Sequence, residues 1–144
     1  MVETWRLSWE TYDFVEGLKE GFKKKYHWYM IFMKKGLGLF SYPELMYIGM
    51  TKRTVSERLL SKHDALISSL RDFKDRNIIL GLGFLSSRKQ LTPTTLKYIE
   101  SAMIAKFKPR LNASGVTRFV PKGNIKIISE YPEDSGWEIL NWEI

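Results

Sequence analysis

The chain has 144 residues, carries a formal net charge of +7, is 44% hydrophobic and 27% charged, and contains no cysteine. That length suits one domain, 1–144, able to bury a core without a disulfide or a metal staple. The missing thiol excludes disulfide scaffolds, cysteine-ligated zinc, iron–sulfur clusters and cysteine nucleophiles.

In chain order, residues 8–25 predict a helix. Trp9, Tyr12, Phe14, Val15, Leu18 and Phe22 give it a broad apolar face, and Lys23-Lys24-Lys25 suits a helix C-terminus. Residues 27–34 (HWYMIFMK) are aromatic, apolar and short, which predicts a strand. Residues 35–44, with Gly36, Gly38 and Pro43, read as a loop, and 45–50 (LMYIGM) as a second strand, so the two strands form a hairpin with a long connection. Thr54-Val55-Ser56-Glu57 is a capping box that opens a helix running to about Lys74. Residues 77–85 (NIILGLGFL) predict a third, buried strand. Thr92-Pro93 opens another helix, which ends before Pro109. Residues 125–129 predict a short strand, after which Pro132 and Gly136 break the chain before Trp137, Ile139, Leu140 and Trp142. The fold class expected from this order is α/β (α+β). A small central three-stranded, mostly antiparallel sheet is flanked by helices, with an N-terminal helix and a C-terminal extension packed on it.

The first residues lack a basic region followed by an apolar run, and no window reaches the roughly 18–20 apolar residues of a membrane span. The expectation is a cytoplasmic or nucleoid-associated protein, not a secreted one, with no membrane partner. Charge is segregated along the chain. Residues 1–20 hold two basic and five acidic side chains, residues 127–144 hold five acidic and none basic, and the stretch between is strongly basic. A concentrated basic body attracts polyanions, because each phosphate neutralised releases condensed counterions; a solvated basic surface with no partner is the plain alternative. Four of the five tryptophans, Trp5, Trp9, Trp137 and Trp142, lie in the acidic ends, so both ends are expected to pack on the domain. Gly81-Leu82-Gly83-Phe84 is not a complete dinucleotide fingerprint, and neither a phosphate-binding loop motif nor an H-E-x-x-H is present.

Two polar residues fall where the helices want apolar ones. On the helix from Val55, His63 lies inside the arc set by Val55, Leu59, Leu66, Leu70 and Phe73. On the helix from Pro93, Glu100 lies between Leu96 and Ile104, on the face that also holds Ile99, Met103 and Phe107. A carboxylate there is expensive unless it is paired, hydrogen-bonded or bound to a metal. An internal salt bridge for Glu100 and a satisfied core histidine for His63 are the structural alternatives to a functional role.

Taken in order, the chain has Tyr29-Met30-Ile31 on one strand, Tyr47-Ile48-Gly49 on the next, Arg58 and His63 on the following helix, Glu100 on a later one, and Lys108-Pro109-Arg110-Leu111-Asn112 closing it. Over about residues 27–112 this order resembles the GIY-YIG nuclease family. The second signature element matches letter for letter, whereas the first reads His27-Trp28-Tyr29 and keeps only the tyrosine. Around that core stand an N-terminal helical extension, 1–26, and an acidic, tryptophan-bearing C-terminal extension, 113–144.

The resemblance implies a metal-dependent DNA endonuclease that hydrolyses phosphodiester bonds. One divalent ion, Mg²⁺ or Mn²⁺, would be held by Glu100 with waters and phosphate oxygens. Arg58 would pair with the scissile phosphate, and Tyr29 would position or deprotonate the water, which requires a neighbouring cation to lower its pKa. Tyr47 and His63 would orient the water or relay the proton, and Asn112 would tie the closing turn to the site. Lys34, Lys35, Lys52, Arg53, Lys62, Lys106, Lys108 and Arg110 would hold flanking phosphates of duplex or branched DNA. The extensions, a homodimer or a protein partner would supply targeting. Two other readings stay open: a non-catalytic nucleic-acid-binding module on the same scaffold, and a protein-interaction domain that uses the tryptophan-bearing ends.

Overall fold

A computed structural model of the chain describes residues 2–35, 42–62, 78–86, 89–115, 119–131 and 138–144. Six strands run through the described residues: β1 (Glu3–Asp13), β2 (Trp28–Lys35), β3 (Tyr42–Met50), β4 (Ile78–Leu85), β5 (Ile125–Glu130) and β6 (Trp142–Glu143). Three α-helices accompany them: α1 (Phe14–Glu20), α2 (Val55–Lys62) and α3 (Pro93–Phe107). The strands form one sheet in the order β3-β2-β4-β1-β5-β6. The pairings are antiparallel except for β1 with β5, which is parallel.

This corrects the expected architecture, since the sheet is six-stranded and mixed and not a small three-stranded one. The expected strands at 27–34, 45–50 and 77–85 are present as β2, β3 and β4, but they make up only half of it. The main reason is β1. Residues 3–13 were expected to be partly helical, yet they lie as a strand between β4 and β5, and only Phe14–Glu20 is helical. Trp5, Leu7 and Trp9 alternate with Arg6, Ser8 and Glu10 and are buried on one face, which is the period of a strand. The loop expected at 35–44 is shorter too: Lys35 closes β2 and Tyr42–Glu44 belong to β3, leaving 36–41 outside the described residues. The second half of the helix expected to reach Lys74, including His63, also lies outside them, as does Trp137.

Alternation along the strands sends side chains to two cores. Trp28, Met30 and Phe32 of β2 join Trp5, Leu7 and Trp9 of β1 and Leu96, Ile99, Ala102 and Met103 of α3. Tyr29, Ile31 and Met33 join Val55 and Leu59 of α2, with Phe14 and Leu18 of α1 packed against them. So α3 covers one face of the sheet, and α1 and α2 the other. The two glycines of the Gly81-Leu82-Gly83 run serve this packing. Trp9 stands opposite Gly83 in the ladder, and a Cβ at Gly83 would lie 2.8 Å from the indole.

The acidic ends, expected to pack on the sheet as a helix and an extension, are instead strands within it. Trp5, Trp9 and Trp142 are buried in the first core. The Trp9 indole N–H donates to Ser129 Oγ at 2.7 Å, and that hydroxyl donates to the Leu140 carbonyl at 2.7 Å. No described helix is long and apolar enough to cross a membrane.

Candidate active site

The site forms along β3, which is an edge strand of the sheet. Between Ile31 and Phe32 of β2 the register shifts: Ile31 pairs with Tyr47 and Phe32 with Leu45, leaving Met46 as the extra residue of a bulge. Tyr29 and Ile31 lie on the same face of β2, and their ladder partners are Gly49 and Tyr47. With no side chain at Gly49, the Tyr29 ring lies directly over that position. The two tyrosine rings sit 6.0 Å apart, centroid to centroid, tilted by 31°.

The next strong constraint comes from the 3₁₀ segment Arg110–Gly115, which packs on β3. Asn112 is buried there and uses its amide as a short piece of strand. Its Oδ1 accepts from the Ile48 N–H at 2.8 Å, and its Nδ2 donates to the Ile48 carbonyl at 2.9 Å. Both groups of Ile48 are thereby satisfied, and the residue between Tyr47 and Gly49 is fixed against the closing turn.

The two flanking helices begin at the expected caps. Thr54 Oγ1 accepts from the Glu57 amide at 3.2 Å at the start of α2, and Thr92 Oγ1 accepts from the Thr95 amide at 3.2 Å at the start of α3. Pro93 occupies the first turn of α3, and Lys108 ends it in the left-handed region at φ 46°. From α2 comes Arg58, one turn after the cap. From α3 comes Glu100, whose side chain is only 12% exposed.

Tyr47, Arg58, Glu100 and Asn112 line one cavity of about 240 Å³, together with Ile48, Met50, Lys97, Ser101 and Ile104. Four of the six expected catalytic residues therefore share one cavity wall. Tyr29 does not line it: the ring is fully buried, directly behind Tyr47. The Arg58 guanidinium hydrogen-bonds the Tyr29 hydroxyl, and the Tyr29 and Tyr47 hydroxyls are hydrogen-bonded to each other, which gives a chain from guanidinium through two phenols to the cavity. His63, the sixth, lies outside the described residues.

Electrostatics differ from the simple expectation. Burial pushes the Tyr29 phenol well above its ordinary range, the neighbouring Tyr47 and the Glu100 carboxylate add to this, and the Arg58 charge and hydrogen bond oppose it without prevailing. The Tyr47 phenol is also raised, by burial first and by Glu100 second, with Arg58 and the Tyr29 hydrogen bond pulling the other way. Arg58 alone thus does not make either phenol a ready base. Its Nε is buried and has no hydrogen-bond partner among the described residues.

Lys97 is a cavity residue that the sequence pattern did not single out. Its Nζ donates to Glu100 Oε1 at 3.0 Å, so the salt bridge weighed as the structural alternative for Glu100 is present. The three-residue spacing on one helix was the available signal.

The expected DNA contacts divide by position. Lys52 and Arg53 are exposed and line a second cavity of about 450 Å³, with Thr51, Glu57 and Ser61, which shares Met50 and Arg58 with the first. Lys106, Lys108 and Arg110 are exposed at the end of α3 and the start of the 3₁₀ segment, on the way to Asn112. Lys34 is exposed toward the far end of β2, five residues beyond Tyr29, or roughly 16 Å along a strand. Lys35 closes that strand and Lys62 closes α2, and their side chains lie outside the described set.

No group of three or more His, Cys, Asp or Glu able to hold a metal occurs among the described residues. A closed all-protein cage does not fit this donor set. A hard ion that keeps most of its waters and takes further oxygens from a phosphate does fit one partly exposed carboxylate on a cavity wall. Comparison with protein-family models, with curated proteins and with solved structures finds no match to this chain.

Proposed function

We propose that the protein is a metal-dependent DNA endonuclease of GIY-YIG type that hydrolyses phosphodiester bonds. The observation that carries this reading is the convergence of Tyr47, Arg58, Glu100 and Asn112 on one cavity, with Tyr29 hydrogen-bonded behind it. A divalent ion, Mg²⁺ or Mn²⁺, bound at Glu100 would supply positive charge at the phosphoryl oxygens and lower the pKa of nearby water. The chain's own residues do the rest. Arg58, with its unpartnered Nε, neutralises the scissile phosphate and holds it by its planar fork. Tyr47 faces the cavity, so it is the phenol that meets the attacking water. Tyr29 stands behind it and fixes the orientation of the Tyr47 hydroxyl through their hydrogen bond. Water oxygen forms the new bond to phosphorus as the bond to one ester oxygen breaks. The Tyr47 hydroxyl, a neutral phenol, accepts a hydrogen bond from the water and orients it; the water's proton leaves to solvent, and the departing ester oxygen takes up a proton from solvent. His63 and the flanking cations complete the reading as a proton relay and as phosphate contacts. The substrate sets a cytoplasmic or nucleoid-associated location.

The test is metal-dependent nicking on a panel of labelled duplex, flap, four-way-junction and single-stranded DNA. Glu100→Ala is expected to abolish nicking and leave DNA retention largely intact. Tyr47→Phe is expected to lower kcat more than Tyr29→Phe. Arg58→Ala is expected to lower kcat more than it raises KM. A wild-type protein that retains DNA but cuts none of these substrates with Mg²⁺ or Mn²⁺ would leave the non-catalytic binding module as the correct reading.

A further inference from the structure

Glu100 already has a cation. The Lys97 ammonium sits 3.0 Å from Oε1 of a carboxylate that is 12% exposed, while the lysine side chain itself is 65% exposed. Both residues line the cavity that also holds Arg58 and Tyr47. The asymmetry in exposure is informative. The carboxylate is fixed in the wall by its helix and its packing, whereas the lysine reaches it from solvent on a flexible stem. Such a pair gives little net stability, because an exposed ammonium loses rotamer freedom to hold the contact and is screened by water. Its position matters more than its strength. An ammonium and a divalent ion cannot both bind the same carboxylate oxygen at contact distance, since like charges repel strongly where solvent is partly excluded.

We infer that Lys97 is an exchangeable counter-ion: it occupies the ion's place at Glu100 in the ligand-free protein and leaves when a divalent cation arrives. This deepens the proposed function and rests on its placement of the ion at Glu100. The exchange has a physical rationale. Without it, a nearly buried carboxylate beside two phenols would lose its ion-pair partner whenever the ion is absent, leaving Arg58 as the other cation on the cavity wall. With it, the carboxylate keeps a contacting cation in both states, and the released lysine swings outward to solvent.

The inference predicts the effect of lysine removal on ion binding itself. Mn²⁺ binding to the DNA-free protein is followed by the loss of the free-ion electron paramagnetic resonance signal, for wild type, Lys97→Gln, Lys97→Arg and Glu100→Gln. Lys97→Gln is expected to bind Mn²⁺ about fivefold more tightly than wild type, the size of one water-screened ion pair made by an exposed lysine. Lys97→Arg keeps the competing charge and is expected to stay within about twofold of wild type. Glu100→Gln is expected to lose the binding. Equal or weaker Mn²⁺ binding by Lys97→Gln overturns the exchange, because the lysine would then not be competing for the place. Unchanged Mn²⁺ binding by Glu100→Gln overturns it as well, by removing the ion's seat. Nicking assays on the same samples separate the two proposals. Tighter ion binding by Lys97→Gln in a protein that cuts no DNA leaves the exchange standing and removes the nuclease.

Discussion

Gly49 stands opposite Tyr29 in the β2–β3 ladder, and a Cβ there would fall 2.2 Å from Tyr29 Cζ and 2.4 Å from its hydroxyl oxygen. Separations that short are steric overlaps, so a side chain at position 49 must displace the ring. The Tyr29 hydroxyl would lose its place between Arg58 and Tyr47, and the effect would reach the cavity without any change in a residue that lines it. Gly49→Ala is therefore expected to destabilise the fold by about 1–3 kcal/mol, the usual range for over-packing a core, and to depress nicking at temperatures where the variant is still folded. Urea unfolding measures the first effect and a nicking assay the second. Gly123→Ala is the control, because a Cβ there has no neighbour within 4 Å. Normal nicking by a destabilised Gly49→Ala protein would mean that the position of the Tyr29 ring is not needed for cutting. The tripeptide Tyr47-Ile48-Gly49 thus has a separate physical demand at each residue: a cavity-facing phenol, a backbone paired to Asn112, and a missing side chain that makes room for the second phenol.

Among the elements, those set by local chemistry were legible in the sequence. Thr54 and Thr92 act as helix caps because a hydroxyl at the right spacing meets an orphan amide, and no distant residue decides that. β2, β3 and β4 are short apolar runs that cannot be mistaken for long helices. β1 was not legible in this way. Starting from Ser8, the apolar residues Trp9, Tyr12, Phe14, Val15, Leu18 and Phe22 fit a helical spacing; starting from Trp5, the set Trp5, Leu7 and Trp9 fits a strand. What decides between them is pairing with β4 and β5, about 70 and 120 residues further along the chain, and a single sequence does not show it. The site was legible to a similar degree. The order of Tyr47, Arg58, Glu100 and Asn112 pointed to one cavity, but alternation along β2 told only which face Tyr29 occupies, not that it is sealed from solvent. The central position of β1 carries its own prediction. Burying Trp5, Leu7 and Trp9 is worth roughly 1.5–3 kcal/mol each, a sum comparable to the ~5–15 kcal/mol that holds a whole domain folded. A chain lacking residues 1–13 is expected to lose its near-ultraviolet circular dichroism and its cooperative thermal transition. If it kept both, the first strand would be an appendage to the sheet and not one of its middle members.

At the scale of the whole molecule, strand order turns a charge pattern along the chain into one across the sheet. The acidic ends form β1, β5 and β6, toward one edge, while β3 forms the other and carries Lys52 and Arg53 just beyond its end. Several of the acidic side chains are held by local partners. Glu130 pairs with Arg6 at 3.0 Å, and Glu143 with Lys126 at 3.4 Å. Glu10 accepts from Tyr12 Oη at 2.7 Å, from Tyr26 Oη and from Lys25 Nζ at 3.3 Å; burial pushes its carboxyl up, and these donors together hold it below the usual carboxylate range. The C-terminal strand is therefore at the opposite edge of the sheet from β3 and does not lie across Lys52 and Arg53. A polyanion that enters along the β3 edge releases counterions from that edge alone, so the salt dependence of binding should depend on where a cation sits and not only on how many there are. Replacing Lys52 and Arg53 together by alanine is expected to lower the slope of log affinity against log salt by about two, one for each phosphate that is no longer neutralised. Lys126→Ala removes an exposed cation of β5, paired with Glu143 toward the far edge, and is expected to leave the slope unchanged. Fluorescence anisotropy of a labelled duplex over a salt series measures both. Equal losses from the two edges would mean that DNA is held by the protein's net charge and not by a track that leads to the Glu100 cavity.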